Sequence, residues 1–432
     1  MPHGSLLAMA WGCWLSDGSS SNSRASWSDV HDVALRRDTP YYQQAVEVLM
    51  KTFRVARPAP LVLAALLAGP VGADVLTVDD DGPAEYSQLV DAIEAAAPGD
   101  VILVEPGNYS NPGGTLEIDK PLTILGKNAG PHFADCSFGI RLVADVPFTM
   151  ARVDALSFTA SEITSRIRLQ GCRLRRLDLT NCSQVQVMRG RIVDSEAIIR
   201  GASHVSLTGV EIVGGASSTW SYDGINVITV GGRDPNVVVA GCDVVGGSTN
   251  SGGWLGTDGG NGIVALTLTN SVSLRGSSFH VVKGGFGDGG VDGSSLVGKI
   301  VYSGVITGAH PASTLVDPPE PYLDNTSSFL GQTATVDLFG VAGQPALLLG
   351  SASTITPFEL PGLDGGPLWI DPSAIALLQA HTLAGQDVPT QVTFSIPDEE
   401  PLLGLTFDLQ ALVLMPSGSM HMTNPGQFIV RP

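Results

Sequence analysis

Between residues 160 and 280 the chain repeats one short pattern of apolar and polar positions. Aligned on a glycine, the segments read "IRLQGCRL", "QVMRGRIV", "VSLTGVEI", "VVVAGCDV" and "VSLRGSSF", with Gly171, Gly190, Gly209, Gly241 and Gly276 as anchors. Two positions before the anchor stand Leu169, Met188, Leu207, Val239 and Leu274. Four before stand Ile167, Gln186, Val205, Val237 and Val272, so that Gln186 alone interrupts the apolar columns. Alternation of this kind marks a strand with one buried face, and the glycine allows a bend before the next short strand. The first three anchors are 19 residues apart and the later spacings widen to 32 and 35. A constant core with variable insertions predicts stacked coils, each paired in parallel with the next and unable to bury its apolar row alone.

A second ladder supports the stack. Gly224-Ile225, Gly262-Ile263 and Gly290-Val291 occupy similar points in successive coils, each after a glycine-rich insertion. The leucine-rich alternative, suggested by "LRRLDLTNC", fails because the match does not recur one period later. Upstream, "VLTVDDDGPAEYSQLVDAIEAAAPGDVILVEPGNYS" reads strand, helix, strand. Ser87 is placed to cap the helix, Leu89, Ile93 and Ala96 share a face, and Pro98-Gly99 ends it. An amphipathic helix there would close the open end of the stack. This stretch, together with "IDKPLTILG", resembles the opening of right-handed parallel β-helix proteins of the pectin lyase-like superfamily. The resemblance spans roughly residues 74–310 and implies an all-β fold: a right-handed parallel β-helix with an N-terminal capping helix.

Beyond it the pattern changes. Residues 311–328, rich in Pro, Asp and Ser, read as a linker. Residues 329–432 hold short strand candidates, "ATVDLFG", "PALLLGS", "QVTFSIP" and "LTFDLQALVLM", between Pro/Gly turns, which predicts a small C-terminal β-sandwich-like domain. Its "GPLWIDPS" and "MTNPGQFIV" segments are similar to C-terminal segments of exported proteins of environmental bacteria.

Composition adds an address. Residues 50–73 carry a basic start (Lys51, Arg54, Arg57), a short apolar run (Leu61 to Ala68) and small residues before Ala73, the layout of a secretory signal peptide. Residues 1–49 then read as a leader that is either spurious or disordered. Residues 1–73 hold 6 basic and 5 acidic residues, so the remainder keeps 23 − 6 = 17 against 42 − 5 = 37, a net charge of −20. That charge argues against a nucleic-acid partner. No later apolar run is long enough to span a membrane. Cys136, Cys172, Cys182 and Cys242 have no metal-knuckle spacing; small buried thiols and disulfides both fit. Asn108 begins an acceptor sequon, which matters only in a glycosylating host.

Candidate chemistry sits in the insertions. "SSTWSYDG" carries Trp220, Tyr222 and Asp223; "NSGGWLGTDGGNG" carries Trp254, Asp258 and Asn261; "FHVVKGGFGDGGVDG" carries His280, Lys283, Asp288 and Asp292. Aromatic rings beside carboxylates and amides suit sugar rings, so Trp220, Tyr222, Asp223, Trp254, Asp258 and Asn261 form the expected ligand set. Asp288 and Asp292, in Asp-Gly turns, offer oxygen ligands to calcium, the one cofactor the sequence suggests. A catalytic reading makes Lys283 or His280 the base, assisted by Asp223 or Asp258. Against each stands a bland reading, since Asp and Asn beside Gly are ordinary turn residues. The superfamily's enzymes act on acidic polysaccharides: hydrolases with clustered aspartates, lyases with calcium and a basic residue, esterases with two aspartates and an arginine. None of those motifs is legible here. The sequence therefore reads as an exported bacterial protein, secreted or held at the cell surface and monomeric, that binds or displays polysaccharide without catalysis. The alternatives are a polysaccharide lyase or glycoside hydrolase using the same loops, and a purely structural surface protein.

Overall fold

The computed structural model describes residues 74–432, apart from 112, 128–133, 216–220, 233–234, 249–257, 268–271, 278–279, 288–290, 304–313, 317–318, 326–327, 352–353, 359–362, 365, 372–375 and 400–401. The fold is a right-handed parallel β-helix followed by a β-sandwich. One long sheet runs through Val75–Val78, Val101–Val104, Leu122–Gly126, Phe148–Ala151, Arg166–Gln170, Gln184–Met188, His204–Thr208, Val237–Ala240, Val272–Arg275, Ile300–Ser303 and Thr314–Val316, every neighbour parallel. We call it the first sheet. Its inward column Ile124, Met150, Leu169, Val187, Leu207, Val239 and Leu274 is buried throughout, each residue directly over the last.

The second sheet begins as long strands, Ala134–Leu142, Val153–Ser161 and Arg173–Thr180. In later coils each divides in two. The first half continues as Arg191–Val193, Glu211–Val213, Asp243–Val245 and Val282–Lys283; the second continues as Ala197–Arg200, Ile225–Ile228, Ile263–Leu266 and Leu296–Gly298. All the large insertions leave at the corner between these halves. The helix α1, Leu89–Ala95, buries Leu89, Ala92 and Ile93 against the first coils.

Three expectations shift. Register pairs Leu169 with Val187, not Met188, so Gln186 faces outward and the apolar column is unbroken. Arg189, not Gly190, therefore occupies the left-handed corner (φ 46) that Gly171, Gly209 and Gly241 take in neighbouring coils. In the second ladder Ile263 pairs with Leu296, and Val291 is exposed in an insertion. The residue before the helix in capping position is Gln88, with no side-chain cap, rather than Ser87.

Residues 311–328, expected as a linker, supply Thr314–Val316 to the first sheet and Tyr322–Asn325 to a three-stranded antiparallel sheet with Thr333–Phe339 and Thr390–Ser395. A larger sheet of Ser328–Phe329, Gly426–Arg431, Thr406–Leu414, Pro345–Ser351 and Ala376–Thr382 packs on it, sharing a core of Leu323, Val336, Leu338, Leu348, Val413 and Phe428. This sandwich lies on the outer face of the first sheet. Arg166 and Arg168 both pair with Asp408, Arg275 meets Glu320 at 2.8 Å, and Asn424 Nδ2 donates to Thr208 Oγ1 at 3.0 Å. That cover explains why every residue of Arg166–Gln170 and Gln184–Met188 is buried, polar ones included.

Candidate functional site

The sandwich covers the outer face of the first sheet, whereas the corner of the second sheet carries a cleft. One outward column there reads Asn108, Asp135, Asp154, Arg173, Arg191, Glu211 and Asp243, one residue per coil in strict register. Parallel pairing puts each about 4.8 Å from the next along the stack. Arg191 and Glu211 pair at 3.0 Å. At the other end a cleft of about 240 Å³ opens, lined by Asp135, Asp154, Leu156, Arg173, Arg175 and Asp194 among others.

Asp154 is the perturbed group. Partial burial is the main cause that lifts its pKa to about 6; Arg173 opposes the rise and the Asp135 carboxylate adds to it. Its Oδ1 is buried and has no hydrogen-bond partner among the described residues. The cleft thus gathers the Asp135 and Asp154 carboxylates one coil apart, the second protonated in mildly acidic solution, with Asp194 and two arginines beside them. It can hold hydroxyls through both donors and acceptors, and its volume falls below the roughly 300 Å³ at which pockets for drug-sized ligands begin.

Next along the same corner come the insertions. Gly215 N donates to Ser195 O at 3.2 Å, so the first insertion sits directly on the rim that carries Asp194. The insertions are then knitted by glycine backbones: Gly247 N to Tyr222 O, Gly260 N to Gly247 O, Gly285 N to Gly260 O and Gly293 N to Gly285 O, at 2.7–2.9 Å. A Cβ on Gly246, Gly260 or Gly293 would strike a neighbouring backbone carbonyl, which is why this layer is glycine.

The polar residues expected to meet ligand are engaged in that layer. Asp223 Oδ1 accepts from the Asn261 backbone N–H (2.7 Å) and Nδ2 (3.0 Å). Asp258 Oδ1 accepts from Val291 N at 2.8 Å, and Asn261 Oδ1 from Ser294 N at 2.9 Å. Asp292 Oδ1 accepts from Gly287 N at 2.9 Å. Each carboxylate or amide ties one coil to the next or closes a turn. Tyr222 is exposed on the first insertion. Trp220, Trp254 and Asp288 lie outside the described residues.

His280 and Lys283 do not converge. His280 shares its Nδ1 with Ser277 and meets Tyr322 edge-on at 6.1 Å, against the sandwich; burial lowers its pKa. Lys283 is exposed beside Val245 and stands three coils along the stack from Val193 of the cleft lining, about 14 Å at parallel-strand spacing. The four cysteines are buried free thiols; burial raises Cys172 and Cys182 to about 11 and Cys242 to about 12. A further acidic group, Asp79, Asp80 and Asp81, gathers at the first coil, where Asp79 pushes the Asp81 pKa up and Asp80 accepts from Asn108 N.

No family model matches the chain, and no curated protein does. Among solved structures, the enzymatically active domain of bacteriophage CBA120 tailspike protein 2 is similar at 12% identity and a TM-score of 0.27, over 83% of this chain and 61% of that one. The chain thus spans about three fifths of that structure's length. The β-helix assignment stands on the strand register alone. Among the described residues no helix is long and apolar enough to cross a membrane.

Asp135, Asp154 and Arg173 escaped the sequence reading because it followed the inward columns and the insertions: Arg173 stands two places after the anchor Gly171, and in the coil of Asp154 the anchor place belongs to Arg152. The signal was present: in "ADC", "VDA" and "CRL" a charged residue stands one place before an inward residue.

Proposed function

We propose that this is an exported glycan-binding protein that seats a sugar in the cleft of Asp135, Asp154 and Arg173 and extends it along the insertion carrying Tyr222. Export rests on the signal-like segment at 50–73. The observation that carries the reading is Asp154: it lines a cleft and no described residue hydrogen-bonds its Oδ1, while Oδ1 of Asp223 and of Asp258 already accepts from a backbone amide. Hydroxyl-rich ligands satisfy such an atom from either protonation state.

A second reading is hydrolysis of a glycosidic or ester bond in the same cleft. It is favoured by the Asp154 pKa of about 6, the property a general acid needs, with the more exposed Asp135 one coil away and Arg173 beside it. Here two aspartates and an arginine, absent as a sequence motif, come together across three coils. A glycan array probed with the wild-type chain and with Arg173→Ala separates the readings. Binding that Arg173→Ala abolishes, without release of reducing ends or of acid from esterified glycans, is the expected result. Product release that Asp154→Asn abolishes would move the assignment to a hydrolase. Binding to no glycan, with no product, would leave a structural surface protein.

A further inference from the structure

The last strand, Gly426–Arg431, lays Ile429 against Val101, Leu125 and Ala151 on the outer face of the first sheet. Strand periodicity sends Arg431, two residues on, to the same side. Arg431 is fully buried, its guanidinium lies 4.4 Å from the Phe329 ring centroid, and its Nε, Nη1 and Nη2 have no hydrogen-bond partner among the described residues. Burial, then repulsion from Arg152, lowers its pKa to about 9, which leaves it a cation at neutral pH. Gln170, beside Ala151 in register, is also buried with both amide atoms unpartnered among the described residues. Asp408 does not serve Arg431, being paired with Arg166 and Arg168. In a protein of net charge −19, this interface concentrates cations.

A cation held away from water without a counter-charge is among the costliest arrangements in a protein, and a neutral water leaves the charge uncompensated. The ring of Phe329 covers one face of the guanidinium but satisfies none of its N–H groups. We infer that Arg431, with the Gln170 amide, binds a small inorganic anion of the chloride class between the last strand and the first sheet. Full burial excludes a large ligand, and the position makes the anion a clamp that joins the sandwich to the β-helix rather than part of the corner cleft.

The test is thermal melting of the full chain at pH 7.5 and fixed ionic strength, with sodium gluconate replaced stepwise by sodium chloride. The expected result is a melting temperature that climbs and saturates with chloride. Arg431→Met should abolish the climb and melt no lower than wild type in gluconate. A wild-type melting temperature indifferent to the exchange, or an Arg431→Met chain with the same response, overturns the inference. Should the variant fail to fold, bromide-soaked wild-type crystals decide: an anomalous peak at Arg431 supports the site, and its absence overturns it.

Discussion

At the scale of the residue, the decisive group is Asp154. An unfolded aspartate titrates near 4, whereas in the folded protein partial burial, opposed by Arg173 and helped by Asp135, holds this one at about 6. Between those values the folded state keeps a proton that the unfolded chain loses. Stability from this group is therefore full below about pH 4 and declines as pH rises through about 6. Asp154→Asn removes the decline. It should match wild type near pH 4 and be more stable at pH 7.5 by about 1 kcal/mol, the shift being discounted for solvent screening; urea melts at the two pH values check this. Residue detail was also where the sequence was hardest to read. Gly190 attracts an alignment because it is a glycine, yet the left-handed corner belongs to Arg189, whose guanidinium forks onto Asp324 at 3.0 and 2.7 Å. A bidentate partner compensates a backbone strain that composition alone assigns to glycine. Glu162 takes the same kind of conformation (φ 60) with an exposed side chain, so Glu162→Gly should stabilise the fold by about 1 kcal/mol, read by the same melts.

At the scale of the element, the coil is a short apolar column with a corner that tolerates insertion. The column was legible, because the alternation of Val205 and Leu207 or Val237 and Val239 admits no other periodicity and because each coil needs the next. The placement of the insertions on one corner was legible too. What the pattern did not reveal was their interior. Asp223, Asp258 and Asn261 are open in sequence to both ligand contact and turn roles, and the donors opposite them, three backbone N–H groups, give each a structural bond that the sequence does not announce. The layer is sensitive to any side chain: Gly260→Ala forces a methyl group against the Tyr222 carbonyl. Overpacking of this sort costs about 1–3 kcal/mol, and the change should raise hydrogen exchange at the Gly247 and Gly285 amides, which bond across Gly260. Protection unchanged at those amides would mean that the layer is not packed as described.

At the scale of the whole molecule, one face of the β-helix is given to the sandwich and one corner carries an open cleft. The strand "RIRLQ" looks solvent-facing in sequence, since two arginines alternate with apolar residues, but its outer face is covered and its charges are met by Asp408 from 240 residues away. No local pattern can announce a partner that distant. Replacing Asp408 with alanine leaves Arg166 and Arg168 buried without their carboxylate and should cost about 3–5 kcal/mol, seen as a large loss of melting temperature or an early transition of the sandwich. The account of function turns on the corner. Its most direct test is calorimetric titration of the best array glycan into the wild-type chain, an Asp154→Asn/Arg173→Gln double variant and a Lys283→Gln control. The cleft variant should lose at least about tenfold in affinity, on the order of 1.4 kcal/mol, with its melting temperature undiminished, while the control binds as wild type. Unchanged affinity in the cleft variant would contradict the account.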